Sequence, residues 1–132
     1  MTQAPLSDAV KRFLADDVGS VERLDVLLFM YRNATRWWEA QKLAAELKMP
    51  VDSAHSHLEQ LGVHNLLDVK ISEAVIFCYK PAREGLSQLV EAVAQAHYLH
   101  RDAVVAVLTG SSADSARLFA EAFQLRKGKR DG

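Results

Sequence analysis

The order of local patterns between residues 37 and 79 restricts the fold of this chain more than any other feature. Residues 39–47 predict a short helix that ends at Met49-Pro50, because the residue before a proline is displaced from the helical region. Asp52 is expected to cap a second helix, whose inward positions recur three and four residues apart. The inward positions of the two helices are Ala40, Leu43, Ala44 and Leu47, followed by Ala54, Leu58 and Leu61.

A β-hairpin is predicted directly after these two helices. Asn65 is expected to end the second helix in the left-handed conformation, which asparagine adopts more readily than most other residues. Residues 66–70 and 74–79 are predicted to be strands, with residues 71–73 as the turn between them and Pro81 closing the hairpin. Arg36-Trp37-Trp38, before the first helix, predicts a short extended segment.

Helices are also predicted on both sides of this region. Ser7-Asp8 and Ser20 are expected to cap the first two helices, and the second has an apolar surface broad enough to be covered on two sides. Residues 82–109 contain no proline and one glycine, so they predict one helix of about 40 Å that ends at Gly110. Ser111 to Asp114 match a capping box that opens a last helix, and residues 127–132 form a basic tail expected to be mobile.

The segment WWEAQKLAAELKMP, residues 37–50, resembles the first half of the helix-turn-helix in MarR-like bacterial transcription regulators. Ala54, Leu58, Leu61 and Asn65-Leu66-Leu67 resemble the second half. The resemblance covers roughly residues 20–80 and implies a recognition helix at 52–64, a wing at 66–79 and flanking helices that build a dimer. The chain departs from the family pattern at Trp38, where a capping Ser, Thr or Asp is usual, and at Asn65, where glycine is usual.

We therefore predict a mainly α fold with a small antiparallel β-hairpin: a winged helix-turn-helix core plus a long and a short C-terminal helix. The expected division is an N-terminal helix at 1–19, a winged-helix domain at 20–80, a helical arm for packing or dimerisation at 81–126, and the tail at 127–132. One fold of this kind serves many functions, so its function has to be argued from its surfaces.

The composition restricts the function further. The net charge of −1, from 16 basic and 17 acidic residues, provides no overall field that would attract nucleic acid or an anionic membrane. Cys78 is the only cysteine, and no secretory signal or membrane span is visible, which predicts a cytoplasmic protein. His97 and His100 share a helix face but form an incomplete zinc site. No nucleotide-binding or catalytic motif is present, so we expect neither a cofactor or metal nor an enzyme.

Two functions remain open, because the charge of the predicted recognition helix does not suit DNA. No Lys or Arg occurs between Met49 and Val69, and this stretch contains the acidic residues Asp52, Glu59 and Asp68. In the first hypothesis the protein is a dimeric transcription regulator. Its recognition helix contacts the DNA bases, and cations on either side of the helix contact the DNA backbone. The reading residues would be Ser53, Ser56, His57, Gln60 and His64, and the backbone contacts Arg36, Lys42, Lys48 and Lys70. In the second it is an adaptor that presents the wing, an exposed tryptophan and the long helix to another protein.

Apolar residues outside the helix-turn-helix predict the interfaces. Trp37 and Trp38 point to opposite faces of an extended segment, so either one is buried and the other is exposed to a partner, or both are packed. The long helix has a heptad-like seam that could pair with a second copy or fold back across the core, and we expect a combination in which one part packs within the chain and another part forms a two-fold interface. We expect a homodimer whose interface includes Leu86, Leu89 and Val93 from this helix and Leu118, Phe119 and Phe123 from the last one.

Overall fold

The computed structural model describes residues 6–110, which begin with a helical segment that widens midway. Helix α1 spans Asp8–Phe13, and the Ser7 hydroxyl accepts a hydrogen bond from the Val10 amide at 3.1 Å. The chain continues through a π-helical turn at Leu14–Val18 and leaves it at Gly19, whose φ of 90° suits glycine. The predicted cap of the first helix is thus confirmed, whereas the π-helical turn was not predicted.

Helix α2, Val21–Arg32, is the centre of the core. The Ser20 hydroxyl caps it by accepting a hydrogen bond from the Arg23 amide at 3.1 Å, as the sequence predicts. Its buried residues face several directions around the helix, because other helices and the sheet pack on more than one side of it. They are Leu24, Val26, Leu27, Leu28 and Met30.

The segment after α2 forms a winged helix-turn-helix. Strand β1, Trp37–Glu39, leads into α3, Ala40–Leu47, and α4, Val51–Val63, and these are followed by strands β2, Leu67–Ile71, and β3, Val75–Tyr79. The three strands form one antiparallel sheet in the order β1-β3-β2. The predicted hairpin is confirmed, and the extended segment at Trp37 joins it as a third strand, with Trp37 opposite Cys78.

The turn between α3 and α4 differs in detail from the prediction. Helix α3 ends because Lys48 adopts the left-handed conformation, with φ of 58°, one residue before Met49-Pro50. The prediction that Asp52 caps α4 is wrong: Pro50 occupies the cap position without a side-chain hydrogen bond, and Asp52 lies in the first turn. A carboxylate there still interacts favourably with the helix dipole. At the other end of α4, Asn65 has φ of 68°, as predicted.

The prediction of one helix over residues 82–109 is also wrong. Helix α5, Glu84–Leu99, ends at His100, whose φ of −138° and ψ of 53° are not helical, and α6 spans Arg101–Thr109. Helix α6 contacts α5, α2 and the π-helical turn, and this packing buries Val104 completely. Burial of apolar surface such as Val104 favours the arrangement in which α6 turns back onto these elements. Gly110 ends α6 in the left-handed conformation, as predicted.

A single hydrophobic cluster extends from Leu6 to Val104 and includes residues of both terminal regions. No helix within residues 6–110 is both long and apolar enough to cross a lipid bilayer. The predicted last helix and the basic tail lie outside the described residues. The division of the chain at residues 19, 80 and 126 stays a prediction.

Candidate functional site

Helix α4 holds the position of a recognition helix and has two distinct faces. Ala54, Leu58 and Leu61 are buried against the rest of the domain, where α4 packs on α3 and α2. Seven residues separate the first of these from the last, two turns of helix, so one side of α4 is covered along most of its length. The exposed residues are Val51, Asp52, Ser56, Glu59, Gln60 and Val63.

His57 lies against α2, not on the exposed face. Its Nδ1 accepts a hydrogen bond from Arg23 Nε at 3.1 Å, and its Nε2 lies 2.8 Å from Glu22 Oε1. Since Nδ1 accepts, the ring hydrogen is on Nε2 and is donated to Glu22. Only 12% of the side chain is exposed. The ring is therefore engaged within the chain.

His64 is engaged in a similar way at the end of α4. Its Nδ1 lies 2.7 Å from Asp17 Oδ1 in the π-helical turn, and both side chains are partly buried. The sequence prediction placed His57 and His64 on the outward face with Ser53, Ser56 and Gln60. The structure leaves Ser56 and Gln60 exposed there, and Ser53 is half-buried. No sequence signal indicated the histidine pairs, because the partners lie 35 and 47 residues apart.

The exposed face of α4 is acidic. Asp52 and Glu59 are its formally charged residues, and no Lys or Arg occurs between Met49 and Val69. The Glu59 carboxylate lies beside His55, with Nδ1 3.7 Å from Oε2. Where a helix reads DNA, its exposed face and surroundings usually provide Arg, Lys, Asn or Gln. Of these residue types, α4 exposes Gln60 alone.

The cations predicted to grip DNA are not gathered around α4. Arg36 and Lys42 line a cleft of about 310 Å³ between α2, β1 and α3, in which Glu46 is also a lining residue. The Arg36 guanidinium lies 4.5 Å from the centre of the Trp38 ring. Lys70 lies over the Trp37 ring, with its Nζ 4.8 Å from the ring centre. Lys48 is exposed in the turn between α3 and α4, two residues before Pro50 at the cap position of α4.

An apolar groove of about 530 Å³ separates α4 from the wing, β2 and β3. We call it the α4–wing groove; its lining residues are His55, Glu59, Gln60, Gly62, Val63, Val69, Ile71, Val75 and Phe77. Side chains alternate across a strand, so Val69 and Ile71 share the helix-facing side of β2 with buried Leu67. Two groove residues are largely exposed: Ile71 at the end of β2 is 76% exposed, and Val63 at the end of α4 is 68% exposed. In the described part of the chain, Glu59 is the one carboxylate that lines the groove, and no Lys or Arg lines it.

The two tryptophans have separate environments. Trp38 is 6% exposed and its ring packs edge-on against Phe29, with the ring centres 4.8 Å apart. Trp37 is 37% exposed on the opposite face of the sheet. Of the two alternatives for this pair, one buried ring and one surface ring is correct, and Trp38 is not available as an exposed anchor.

Cys78, paired with Trp37 across the sheet, is not an activated thiol. Burial raises the pKa of Cys78 above its ordinary value, Asp68 raises this pKa further, and Lys80 partly opposes both. The thiol is therefore held in its neutral form, which is the weaker nucleophile. Within residues 6–110, no three or more His, Cys, Asp or Glu side chains are grouped in a way that could hold a metal ion.

The residues predicted for a dimer interface have different locations. Leu86 and Val93 of α5 lie in the core of the chain itself, and Leu89 packs half-buried against that core. These residues of the seam therefore pack within the chain, and the expected two-fold interface stays a prediction. Leu118, Phe119 and Phe123 lie outside the described residues.

Comparison with known proteins gives one distant likeness. No family model matches the sequence, and no curated protein matches it. Among solved structures, the chain is similar to wild-type MarR from E. coli in its apo form, with 14% sequence identity and a TM-score of 0.49. The match covers 87% of this chain and 82% of that one. The element order and strand pairing described above establish the winged helix-turn-helix fold independently of this match.

Proposed function

We propose that this protein is a non-enzymatic, winged-helix regulatory adaptor that binds another protein through α4 and the wing. The observation that carries the proposal is the chemistry of this surface. It combines exposed Val63 and Ile71 with the carboxylates of Asp52 and Glu59, at the place where a DNA-reading winged helix needs cations.

Electrostatics argue against duplex DNA as the main ligand. Duplex DNA carries one negative charge for about every 1.7 Å of its axis, so its affinity for proteins depends on Lys and Arg near phosphates. Asp52 and Glu59 would face those phosphates from α4 and repel them. His57 and His64 do not offset this repulsion, because their rings are paired with Glu22 and Asp17 within the chain.

The groove indicates the chemistry of the partner. Apolar side chains left in water favour an apolar ligand, and exposed apolar patches of soluble proteins commonly mark interaction sites. Glu59 on the groove wall favours a cation on the partner, and among residues 6–110 no Lys or Arg lines the groove to repel it. We therefore propose a partner segment with large apolar side chains flanked by Lys or Arg.

DNA binding by a homodimer is the second candidate, and the exposure of Ser56 and Gln60 on α4 favours it. Both side chains can hydrogen-bond base edges in a major groove. Exposed Lys48, next to the start of α4, would serve as a backbone contact in this case. The DNA-binding candidate requires an affinity for DNA that falls steeply as salt rises, whereas the adaptor candidate requires no such binding.

A DNA titration separates them. Fluorescence anisotropy with mixed genomic duplex fragments is expected to show no salt-sensitive binding by the wild type at about 50 mM salt. The double variant Asp52→Lys/Glu59→Lys adds cations on the exposed face and is expected to bind, with an affinity that falls steeply as salt rises. Binding by the wild type with a similarly steep salt dependence would overturn the adaptor proposal and support the DNA reader.

The protein-binding half of the proposal needs matched surface variants. Val63→Glu and Ile71→Glu place a charge on groove residues that are already exposed, so the fold is expected to survive. Tyr98→Glu is the control, because Tyr98 is also an exposed apolar residue but does not line the groove. A partner captured from the source cells by the wild type and the control, but by neither groove variant, supports the proposal. Equal capture by all four proteins would count against the groove.

A further inference from the structure

We infer that the cleft between α2, β1 and α3 binds a phosphate monoester, a small organic molecule that carries one phosphate group. We call it the α2–α3 cleft; its lining residues are Phe29, Asn33, Arg36, Trp38, Lys42, Ala45 and Glu46. Within residues 6–110 it shares no lining residue with the α4–wing groove, so this site goes beyond the proposed function.

The charged lining residues give the cleft a net positive charge. Among the residues that the structure describes, two cations, Arg36 and Lys42, and one carboxylate, Glu46, line it. All ion pairs within residues 6–110 involve a histidine, so no carboxylate there neutralises either cation. Glu46 lies one helical turn after Lys42 on α3 and does not pair with it. The unbalanced charge favours an anionic ligand.

Arg36 is held against the wall of the cleft. Its guanidinium lies 4.5 Å from the centre of the Trp38 ring, a cation–π contact. The ring itself is 6% exposed and packs edge-on against Phe29, so it provides a fixed support. A planar guanidinium can donate two parallel hydrogen bonds to a phosphate group, which a flexible ammonium does not. Arg36 therefore suits the phosphate end of a ligand.

Two neutral donors add to the cations. Asn33 Nδ2 donates to the Phe29 carbonyl at 2.8 Å, which leaves its second hydrogen for a ligand. The Trp38 indole N–H is buried and has no hydrogen-bond partner within residues 6–110. Buried donors without an acceptor are rare in proteins and call for one. A phosphate group has three strong acceptor oxygens, enough for Arg36, Lys42 and one further donor.

The size and the apolar lining of the cleft favour an organic ligand over a bare ion. The cleft has a volume of about 310 Å³. Small-molecule sites begin at roughly 300 Å³, whereas one water occupies roughly 30 Å³ of the liquid. Phe29 and Ala45 provide apolar surface beside the donors. A phosphate monoester combines a head with a charge of about −1.5 to −2 near pH 7 with an organic body that can cover this surface.

NMR of the nitrogen-labelled full-length chain, with phenyl phosphate as the probe, tests the inference. Titration is expected to shift the indole signal of Trp38 until it saturates. The indole signal of Trp37 serves as the internal reference, because Trp37 is not a lining residue. Phenol has the same ring without the phosphate and is expected to cause no such shift.

Charge variants locate the site. Arg36→Gln and Lys42→Gln are each expected to weaken phenyl phosphate binding about tenfold or more, since each removes a charge-assisted hydrogen bond. Glu46→Gln removes a repulsive carboxylate and is expected to tighten binding about threefold. Lys11→Gln is the control, because it removes an exposed cation of α1 that does not line the cleft. All four positions are exposed, so the fold is expected to survive.

Three results would overturn the inference. The first is the absence of a saturating shift up to about 10 mM phenyl phosphate. The second is binding that Arg36→Gln and Lys42→Gln leave unchanged, which places the site elsewhere. The third is displacement of the probe by short duplex DNA at an equal concentration of phosphate groups, which assigns these cations to DNA. Val63→Glu and Ile71→Glu are expected to bind the probe as the wild type does, so the adaptor proposal and this inference can fail separately.

Discussion

His57 donates a hydrogen bond from Nε2 to Glu22, with 2.8 Å between Nε2 and Oε1, and so joins the middle of α4 to the start of α2. Arg23, the next residue after Glu22, donates to the other ring nitrogen at 3.1 Å. Because Nδ1 accepts the hydrogen bond from Arg23, the ring hydrogen that Glu22 accepts is on Nε2.

The first prediction follows from this arrangement. His57→Ala removes both hydrogen bonds and is expected to lower the free energy of unfolding by about 1–2 kcal/mol, at roughly 1 kcal/mol for each bond. Urea denaturation measures the change, with Ser56→Ala, at an exposed neighbour, expected to stay within about 0.5 kcal/mol of the wild type. Nitrogen NMR of the wild-type ring is expected to show the tautomer with its hydrogen on Nε2. A ring with its hydrogen on Nδ1 would contradict the assigned geometry.

The two tryptophans are expected to respond differently to truncation. Trp38→Ala empties a buried site beside Phe29 and is expected to cost about 3–5 kcal/mol of unfolding free energy. Trp37→Ala removes a surface ring under Lys70 and is expected to cost about 1 kcal/mol or less. Thermal or urea unfolding followed by circular dichroism measures both. Similar losses in the two variants would show that Trp37 is also a core residue.

His97 is expected to make the protein less stable in mild acid. Burial lowers the pKa of His97 below its ordinary 6.5, Arg101 and Arg32 lower it further, and Asp25 opposes the change. In the window below 6.5 the unfolded chain therefore binds more protons at this site than the folded one, so stability falls as the pH falls. The difference in unfolding free energy between wild type and His97→Gln, measured from about pH 7 to pH 5, isolates this contribution. A difference that does not change with pH would contradict the prediction.

Lys48 is a site where glycine should stabilise the fold. A non-glycine residue in the left-handed region costs about 1–2 kcal/mol, and Lys48 has φ of 58°. Lys48→Gly relieves this cost but increases the freedom of the unfolded chain, so we expect a net gain of about 0.5–1 kcal/mol. The matched control is Lys42→Gly within α3, where glycine is expected to cost about 1 kcal/mol. A loss of stability in Lys48→Gly, measured by urea denaturation, would show that the side chain makes a compensating contact.

Much of the local structure was predictable from neighbouring residues. The hydroxyls of Ser7 and Ser20 each bond an amide three residues later, so the cap and its partner lie within one turn. The left-handed turns at Asn65 and Gly110 depend on the backbone preferences of single residues. Apolar periodicity likewise placed Ala54, Leu58 and Leu61 on the buried side of α4. The order of the predicted helices and strands was sufficient to predict the winged-helix fold.

The direction of the polar side chains and the path of α6 were decided only in the folded molecule. The sequence permits an uninterrupted helix over residues 82–109, and the break at His100 is favoured because it buries Val104 against elements from the start of the chain. The same holds for His57 and His64, whose partners are 35 and 47 residues away. Periodicity reports which face of a helix is apolar, whereas hydrogen bonds between distant segments depend on how those segments pack. The surface left for function was thus set by tertiary packing, which directed two histidines inward and left Val63 and Ile71 in water.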